Sequence, residues 1–279
     1  MKIALCNEVV RDLEFAEQCA FAAELGYDGI ELAPFTLGEE PHLISAEERA
    51  RLRRAASDAG IAIVSLHWLL VTPAGLSING PDQAVRRRTV EVIERLIELA
   101  HDVGATALVH GSPAQRQVTP DDDAGDAWQR ARETFAAIAP AAEAAGVDYC
   151  LEPLAPRETN FINTITQAVE LVEAVASPAF CTMIDTCAAG LAETEPLSQV
   201  FDTWLPTGHV RHVQVNDSNK RGPGQGPQIF APVMAALARH DYRRSVAVEP
   251  FDYVPDGPAA AARAIGYLRG IEETLTWQR

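Results

Sequence analysis

The chain has 279 residues, 47% of them hydrophobic, and a formal net charge of −16. This charge argues against a protein that grips nucleic acid or anionic membrane, because both need concentrated Lys and Arg. The length and apolar content suffice for a large buried core, and no linker-like segment divides the sequence. Residues 1–279 are therefore predicted to form a single domain.

Strand-like and helix-like segments alternate along the chain. Short apolar runs predict strands at 2–6, 29–32, 61–67, 105–110, 147–153, 180–185, 210–216 and 245–250. Apolar residues at helical spacing predict helices at 13–25, 46–59, 83–103, 126–145, 164–176, 195–204, 228–240 and 259–275. Eight of each in alternation predict an α/β fold, a (β/α)8 TIM barrel.

Glycines between the elements support the same count. Gly26, Gly60, Gly104 and Gly146 each stand just before a predicted strand, where the residue that ends a helix is often left-handed. A doubly wound sheet would show the same alternation, but it usually has a Gly-rich phosphate loop after an early strand. Residues 9–12, Val-Val-Arg-Asp, offer no such loop, so the barrel is favoured.

Four polar residues stand at the ends of predicted strands in the second half of the chain: Glu152, Asp185, Gln214 and Glu249. In a barrel, the carboxyl ends of the strands carry the active site. Period-two alternation in strand seven sends His212 and Gln214 to the same, inward face. Three carboxylates and an amide oxygen gathered there would be unfavourable without a divalent cation among them, so the pattern predicts a metal enzyme.

With these residues identified, the chain resembles the xylose-isomerase-like barrel superfamily of sugar phosphate isomerases and epimerases. It is most similar to the ketose 3-epimerases, the group that includes tagatose and psicose 3-epimerases. The resemblance covers nearly the whole chain and implies one divalent ion, Mn²⁺ in the first place and Mg²⁺ or Co²⁺ as alternatives. It places Glu152, Asp185 and Glu249 in the carboxylate ligand positions. It also implies that Glu158 and Lys220, on the loops after strands five and seven, bind the substrate.

Three positions depart from the family pattern. Gln214 stands where the epimerases usually have a metal-binding histidine, although the related hydroxypyruvate isomerases are similar in using glutamine. An amide oxygen is a neutral, hard ligand, so the site should keep its preference for Mn²⁺ or Mg²⁺. Ala188 replaces a histidine that often contacts the substrate, and Lys220 replaces an arginine whose bidentate fork it cannot reproduce.

The resemblance implies proton transfer through an enediolate, whose negative charge a bound cation would stabilise. Glu152 and Glu249 are assigned as metal ligands and as bases on opposite faces of that planar intermediate, so that removal and return of a proton invert carbon 3. Return of the proton to the neighbouring carbon would instead make the protein an aldose–ketose or hydroxypyruvate isomerase. The sequence leaves both outcomes open, with C3 epimerisation preferred.

Further candidates for substrate binding lie near the predicted rim of the barrel. His67 and His110 end strands three and four, where they could bind sugar hydroxyls or equally be structural histidines. Trp68 and Phe251 could form an apolar wall. His212, beside Gln214, is included among the substrate contacts.

Other function classes remain open at this point. A keto-glycoside lyase would reuse the same metal and bases and would bring a second, β-rich subunit. An abasic-site endonuclease is disfavoured by the negative charge and by the few histidines at strand ends. A non-catalytic sugar-binding barrel would bind sugar without the bases.

The sequence also suggests a location and an assembly state. The five cysteines are odd in number and lack metal-site spacing, which indicates reduced thiols in a cytoplasmic protein. The first six residues are too short for a signal sequence. By analogy with relatives, a homodimer or homotetramer is expected.

Overall fold

Eight parallel strands close into a barrel in the computed structural model, which describes residues 1–276. The strands are β1 (Lys2–Cys6), β2 (Gly29–Leu32), β3 (Ala62–His67), β4 (Ala107–His110), β5 (Asp148–Leu151), β6 (Phe180–Asp185), β7 (Val210–Val215) and β8 (Ser245–Val248). Each strand pairs with its neighbours in chain order, and β1 pairs with β8 to close the sheet. This confirms the predicted (β/α)8 TIM barrel.

Helices surround the barrel and follow the strands. They are α1 (Phe15–Glu24), α2 (Ala46–Asp58), α3 (Gln83–Val103), α4 (Ala124–Ala145), α5 (Ile165–Val175), α6 (Thr186–Ala192), α7 (Leu197–Trp204), α8 (Ala231–Arg239) and α9 (Gly257–Thr276). All eight predicted helices are present, and α6 is an additional one. The predicted domain also included residues 277–279, which lie outside the described residues.

Local sequence signals set the helix boundaries. At the start of α3, the carboxylate of Asp82 accepts a hydrogen bond from the backbone N–H of Ala84 at 2.7 Å. At its end, Gly104 adopts φ +84°, a left-handed conformation that favours glycine. Gly146 ends α4 in the same way, with φ +68°. These glycines turn the chain back into the barrel, and so fix where β4 and β5 begin.

Small and apolar side chains fill one part of the barrel interior below the strand ends. A buried cluster from β4, β5 and β6 contains Ala107, Val109, Cys150, Cys181 and Met183. Outward-facing residues of the strands pack against the helices in two larger clusters. None of the helices formed by residues 1–276 is long and apolar enough to cross a membrane.

Candidate metal and active site

Three buried carboxylates meet at the carboxyl ends of the strands. Glu152 follows β5, Asp185 ends β6 and Glu249 follows β8. One oxygen from each lies within 4.8 Å of the others, and the three residues are 5%, 5% and 2% exposed. The structure thus brings together the three acids that the sequence placed at strand ends, at a spacing that one cation could bridge.

The electrostatics of the three carboxylates favour either their protonation or the binding of a cation among them. Burial raises the pKa of Asp185 to about 7 and that of Glu249 to about 8. It also raises the pKa of Glu152 well above its usual value, and the negative charges of Glu249 and Asp185 add to that effect. The charges of His67 and Arg116 offset only part of this penalty, and a divalent ion would remove the rest.

Asp185 has one carboxylate oxygen engaged and one available. Oδ1 accepts a hydrogen bond from the backbone N–H of Ala188 at 2.7 Å and so caps α6. Oδ2 is buried and has no hydrogen-bond partner among residues 1–276. Capping a helix and binding a metal are therefore compatible roles for this side chain, through different oxygens.

Gln214 lies beside Asp185 and offers an amide oxygen. The two residues are Cα partners in the pairing of β6 with β7. The amide Nε2 donates to Oε2 of Glu31 at 3.1 Å, while Oε1 is buried and finds no partner within the described part of the chain. Unpartnered oxygens on Asp185 and Gln214, next to two more carboxylates, form an all-oxygen donor set that suits Mn²⁺ or Mg²⁺.

Glu31, on β2, is the centre of a polar layer beneath these residues. It is fully buried and accepts hydrogen bonds from Ser65 Oγ at 2.8 Å and from Cys6 Sγ at 3.1 Å. His212 Nε2 lies 2.9 Å from Glu31 Oε1. Burial alone would raise the pKa of Glu31, but the imidazoles of His212 and His67 outweigh it and lower the pKa. Glu31 is therefore an anion, and its contacts hold the polar side chains beneath the three carboxylates in place.

His212 lies in this layer and not at the rim. Its Cα partner is Met183, two residues below Asp185 on β6, and it is 2% exposed. The prediction that it faces inward agrees with the structure. Its predicted contact with substrate is corrected, because Glu31 binds it one layer deeper than the carboxylates.

His67 also takes a different place from the predicted sugar contact. Its Nδ1 lies 2.8 Å from Oε1 of Glu249, its Nε2 lies 3.0 Å from Oε2 of Glu8, and the side chain is 1% exposed. Burial opposes a charged ring, yet the carboxylates of Glu8 and Glu31 raise the pKa of His67. An imidazolium donates from both nitrogens, so the ring has no N–H left for a sugar hydroxyl.

His110 points away from the barrel interior. Its Nδ1 lies 2.9 Å from the hydroxyl of Tyr149, and its ring meets Phe135 of α4 edge-on at 5.6 Å. Burial, helped by the charge of Arg116, lowers its pKa well below the usual value. The predicted sugar contact is corrected here too. Val109 faces inward on β4, and alternation along the strand therefore turns His110 outward.

The remaining predicted substrate residues surround the mouth of the barrel. Lys220 Nζ and Glu158 Oε1 are 4.0 Å apart, and both side chains are partly exposed. Trp68 lies between two aromatic rings, 5.6 Å from Phe35 and 5.7 Å from Phe251. The structure thus brings a charged pair and an aromatic wall to the same rim.

Four residues of the site were not predicted from the sequence: Glu8, Glu31, Gly111 and Arg116. Glu31 interrupts the apolar residues of its strand, and Glu8 follows the apolar run 3–6 by two residues, so both gave a signal related to that of the other acids. Arg116 is fully buried, and its Nη1 donates to the main-chain oxygen of Glu152 at 2.6 Å. Nothing in its surrounding sequence distinguishes it from a loop arginine.

Comparisons with known proteins agree with this fold. A family model described as the xylose isomerase-like TIM barrel matches residues 19–271. D-Psicose 3-epimerase of Ruminiclostridium cellulolyticum is 30% identical over 234 residues, covering 82% of this chain and 75% of that protein. Fructoselysine 3-epimerase of Shigella flexneri is 26% identical over 255 residues and 87% of each chain. The solved structure of an L-ribulose 3-epimerase superposes with a TM-score of 0.85 at 23% identity, over 100% of this chain and 97% of the other, which supports the fold.

Proposed function

The chain belongs to the xylose isomerase-like TIM barrel family, and from that premise we propose that it is a divalent-metal-dependent epimerase that inverts carbon 3 of a ketose. The observation that carries the proposal is the meeting of Glu152, Asp185 and Glu249 within 4.8 Å at the active-site end of the barrel. Relatives named D-psicose and fructoselysine 3-epimerases support the choice of reaction.

Glu152, Asp185, Gln214 and Glu249 would hold the metal. Their donor atoms are all oxygens, so we propose Mn²⁺, with Mg²⁺ or Co²⁺ as substitutes. When bound, the ion supplies Lewis acidity that stabilises negative charge developing on the substrate oxygens. Its arrival would release the protons that the raised pKa values of Asp185 and Glu249 otherwise retain on those acids.

Glu152 and Glu249 are proposed as the two catalytic bases. They come from β5 and β8, three strands apart around the barrel, so they approach a substrate from different sides. One would take the proton from carbon 3 and the other would return a proton to the opposite face. Their burial excludes water, which strengthens the electrostatic interactions between these groups and the substrate.

Rim residues are proposed to bind the sugar. Glu158 accepts a backbone hydrogen bond from Ala155 at 3.2 Å, which holds its carboxylate near Lys220 for contact with sugar hydroxyls. Trp68 and Phe251 offer an apolar face for the carbon chain. Ala188, in the first turn of α6, stands where the resemblance implies a histidine, so its methyl group offers the sugar no hydrogen bond there.

Location and assembly are part of the same proposal. All five cysteines are buried free thiols, which suits the reducing cytoplasm. We propose a homodimer or homotetramer, testable by light scattering of the purified protein.

Three experiments test the function. Metal analysis of the purified protein should find about one divalent ion per chain, and a chelator should abolish turnover until Mn²⁺ is restored. Incubation with a panel of ketoses, 3-keto-glycosides and hydroxypyruvate in deuterated water should show exchange at carbon 3 of a ketose. Glu249→Gln should lose turnover, whereas Glu173→Gln, a change at an exposed carboxylate, should not.

Different results would contradict different parts of the proposed function. Turnover that is indifferent to chelator would remove the metal mechanism. Exchange at carbon 1 would instead identify an aldose–ketose isomerase, and loss of an aglycone would identify a lyase. Sugar binding with no exchange at any carbon would leave a non-catalytic barrel.

A further inference from the structure

A chain of hydrogen bonds extends from Glu249 to a second carboxylate that the proposed reaction does not use. Glu249 Oε1 lies 2.8 Å from Nδ1 of His67, and His67 Nε2 lies 3.0 Å from Oε2 of Glu8. The three residues are 2%, 1% and 5% exposed. Two groups that are costly to bury, His67 and Glu8, have therefore been placed in line beneath one proposed base, Glu249.

The three residues are held by different parts of the barrel. Glu8 lies in a short 3-10 turn, Asn7–Val10, directly after β1, while His67 ends β3. The main chain of Glu249 is fixed separately, because its N–H donates to Val215 and its carbonyl accepts from Asn216 Nδ2 at 3.1 Å. The main-chain contacts do not fix the rotation of the Glu249 carboxylate. The imidazole of His67 is the group that restricts this rotation.

The geometry also determines the hydrogen-bond roles of His67. A ring between two carboxylates satisfies both only when both of its nitrogens donate. Gln214 Nε2, 3.3 Å from Nδ1, is then a second donor and not a partner, and it donates to Glu31 instead. Glu8 is thus what keeps the ring donating towards Glu249.

We propose that Glu8, acting through His67, is a positioning residue for Glu249, and that the pair fixes the orientation in which Glu249 transfers its proton. This inference rests on the proposed epimerase function. A base must meet the carbon-bound proton at hydrogen-bond distance, and a misplacement of about 1 Å lowers the rate about 100-fold. Glu8 makes no contact with the substrate in this scheme.

The test compares turnover, substrate affinity and folding in matched variants. Glu8→Met should lower kcat about 10- to 100-fold at saturating Mn²⁺, with KM changed less than about 2-fold. Glu8→Gln, which still offers His67 an acceptor, should recover part of that loss. Glu24→Met, at an exposed position on α1, is the control and should match the wild type.

A double variant separates positioning from general packing. If Glu8 acts through the ring, adding Glu8→Met to His67→Phe should cause no further loss of kcat, whereas independent structural roles would multiply the two losses. Proton NMR of the protein loaded with diamagnetic Mg²⁺, in which Glu249 is expected to be ionised, gives a readout apart from activity. Wild type should show two far-downfield imidazole N–H signals, and Glu8→Met should lose the one assigned to Nε2.

The results of these experiments separate the positioning role of Glu8 from the proposed epimerase function. If the wild type exchanges carbon 3 and Glu8→Met keeps a kcat within about 2-fold of it, positioning by Glu8 is overturned while the epimerase remains. If Glu8→Met fails to fold, the isosteric Glu8→Gln decides, and full turnover in that variant overturns the inference. If the wild type exchanges no proton in any ketose, the proposed function itself fails, whatever the NMR spectrum shows.

Discussion

The amide nitrogen of Gln214 donates to a carboxylate oxygen of Glu31 at 3.1 Å, and this contact determines which end of the amide faces the three acids above it. Glu31 can only accept, because hydrogen bonds and two nearby imidazoles keep it ionised. The amide oxygen of Gln214 is consequently turned away from Glu31. A neutral side chain is thereby made into an oriented oxygen ligand.

Removing the charge of Glu31 should therefore weaken metal binding without touching a ligand. Glu31→Gln can donate as well as accept, so the amide of Gln214 loses its fixed orientation. We expect the affinity for Mn²⁺ to fall about 10- to 100-fold, measured by calorimetry, and the free energy of unfolding to drop by about 1–3 kcal/mol. Glu98→Gln, at a half-exposed surface carboxylate, is the control. Unchanged Mn²⁺ affinity in Glu31→Gln would show that the amide orients itself by other means.

Gly111 should be intolerant of even one methyl group. A Cβ atom there would lie 1.8 Å from Oε2 of Glu152, so Gly111→Ala must push that carboxylate aside. The φ angle of Gly111 is not in the left-handed region, which leaves the collision as the reason for any effect. We expect turnover to fall about 100-fold or more.

A matched substitution isolates that effect. Gly266 lies inside α9 and a Cβ atom there meets nothing within 4 Å among the described residues. Gly266→Ala should keep full activity and raise the free energy of unfolding by about 0.5–1 kcal/mol, measured by urea denaturation. Equal activity of the two alanine variants would contradict the position assigned to Glu152.

Much of the fold could be predicted from local signals, because apolar runs and glycine stops repeat in each βα unit. The helix α6 could not, since its first turn follows Asp185 without a loop. The residue that signals the helix start is the same one predicted as a metal ligand. Asp185 indicates both a metal ligand and a helix start, and only the metal ligand was predicted from it.

The candidate site was predictable where strand alternation was applied and was misplaced where it was not. Alternation in β7 correctly turned Gln214 inward. The same rule in β4 turns Val109 inward and His110 outward, which removes His110 from the mouth. Arg116 lies on a loop, where no periodicity applies, and its burial depends on carbonyls from β4 and the end of β5.

The stability of the metal-free protein should fall as pH rises. The unfolded chain ionises its acids near pH 4, but in the folded state the pKa of Asp185 is about 7 and that of Glu249 about 8. Between about pH 4 and pH 8 these two acids hold more protons in the folded state than in the unfolded chain. The stabilisation that they contribute is therefore complete below about pH 4 and is lost as pH rises through 7 to 8. We expect a decrease on the order of a few kcal/mol in urea denaturation with chelator present.

Asp185→Asn provides the control for that pH dependence. Its side chain is neutral at every pH and no longer raises the pKa values of Glu152 and Glu249, so the decrease should be smaller than in the wild type. Saturating Mn²⁺ should flatten the wild-type profile, because the bound ion favours the ionised acids. An identical pH profile for wild type and Asp185→Asn would show that Asp185 ionises in the folded protein as it does in the unfolded chain.

Arg116 should contribute more to stability than any surface arginine. Its side chain is fully buried, and its two terminal nitrogens donate to the main-chain oxygens of Glu152 and His110, which joins the ends of β4 and β5. Arg116→Met would remove the Arg116 donor from both carbonyls, and the His110 carbonyl would keep only its hydrogen bond from the backbone N–H of Glu152. We expect a loss of about 3–5 kcal/mol in the free energy of unfolding. Mn²⁺ affinity should fall as well, because the main chain of Glu152 loses its support. Arg243→Met, at a side chain that is 79% exposed, should change neither quantity, and equal losses in the two variants would contradict this role for Arg116.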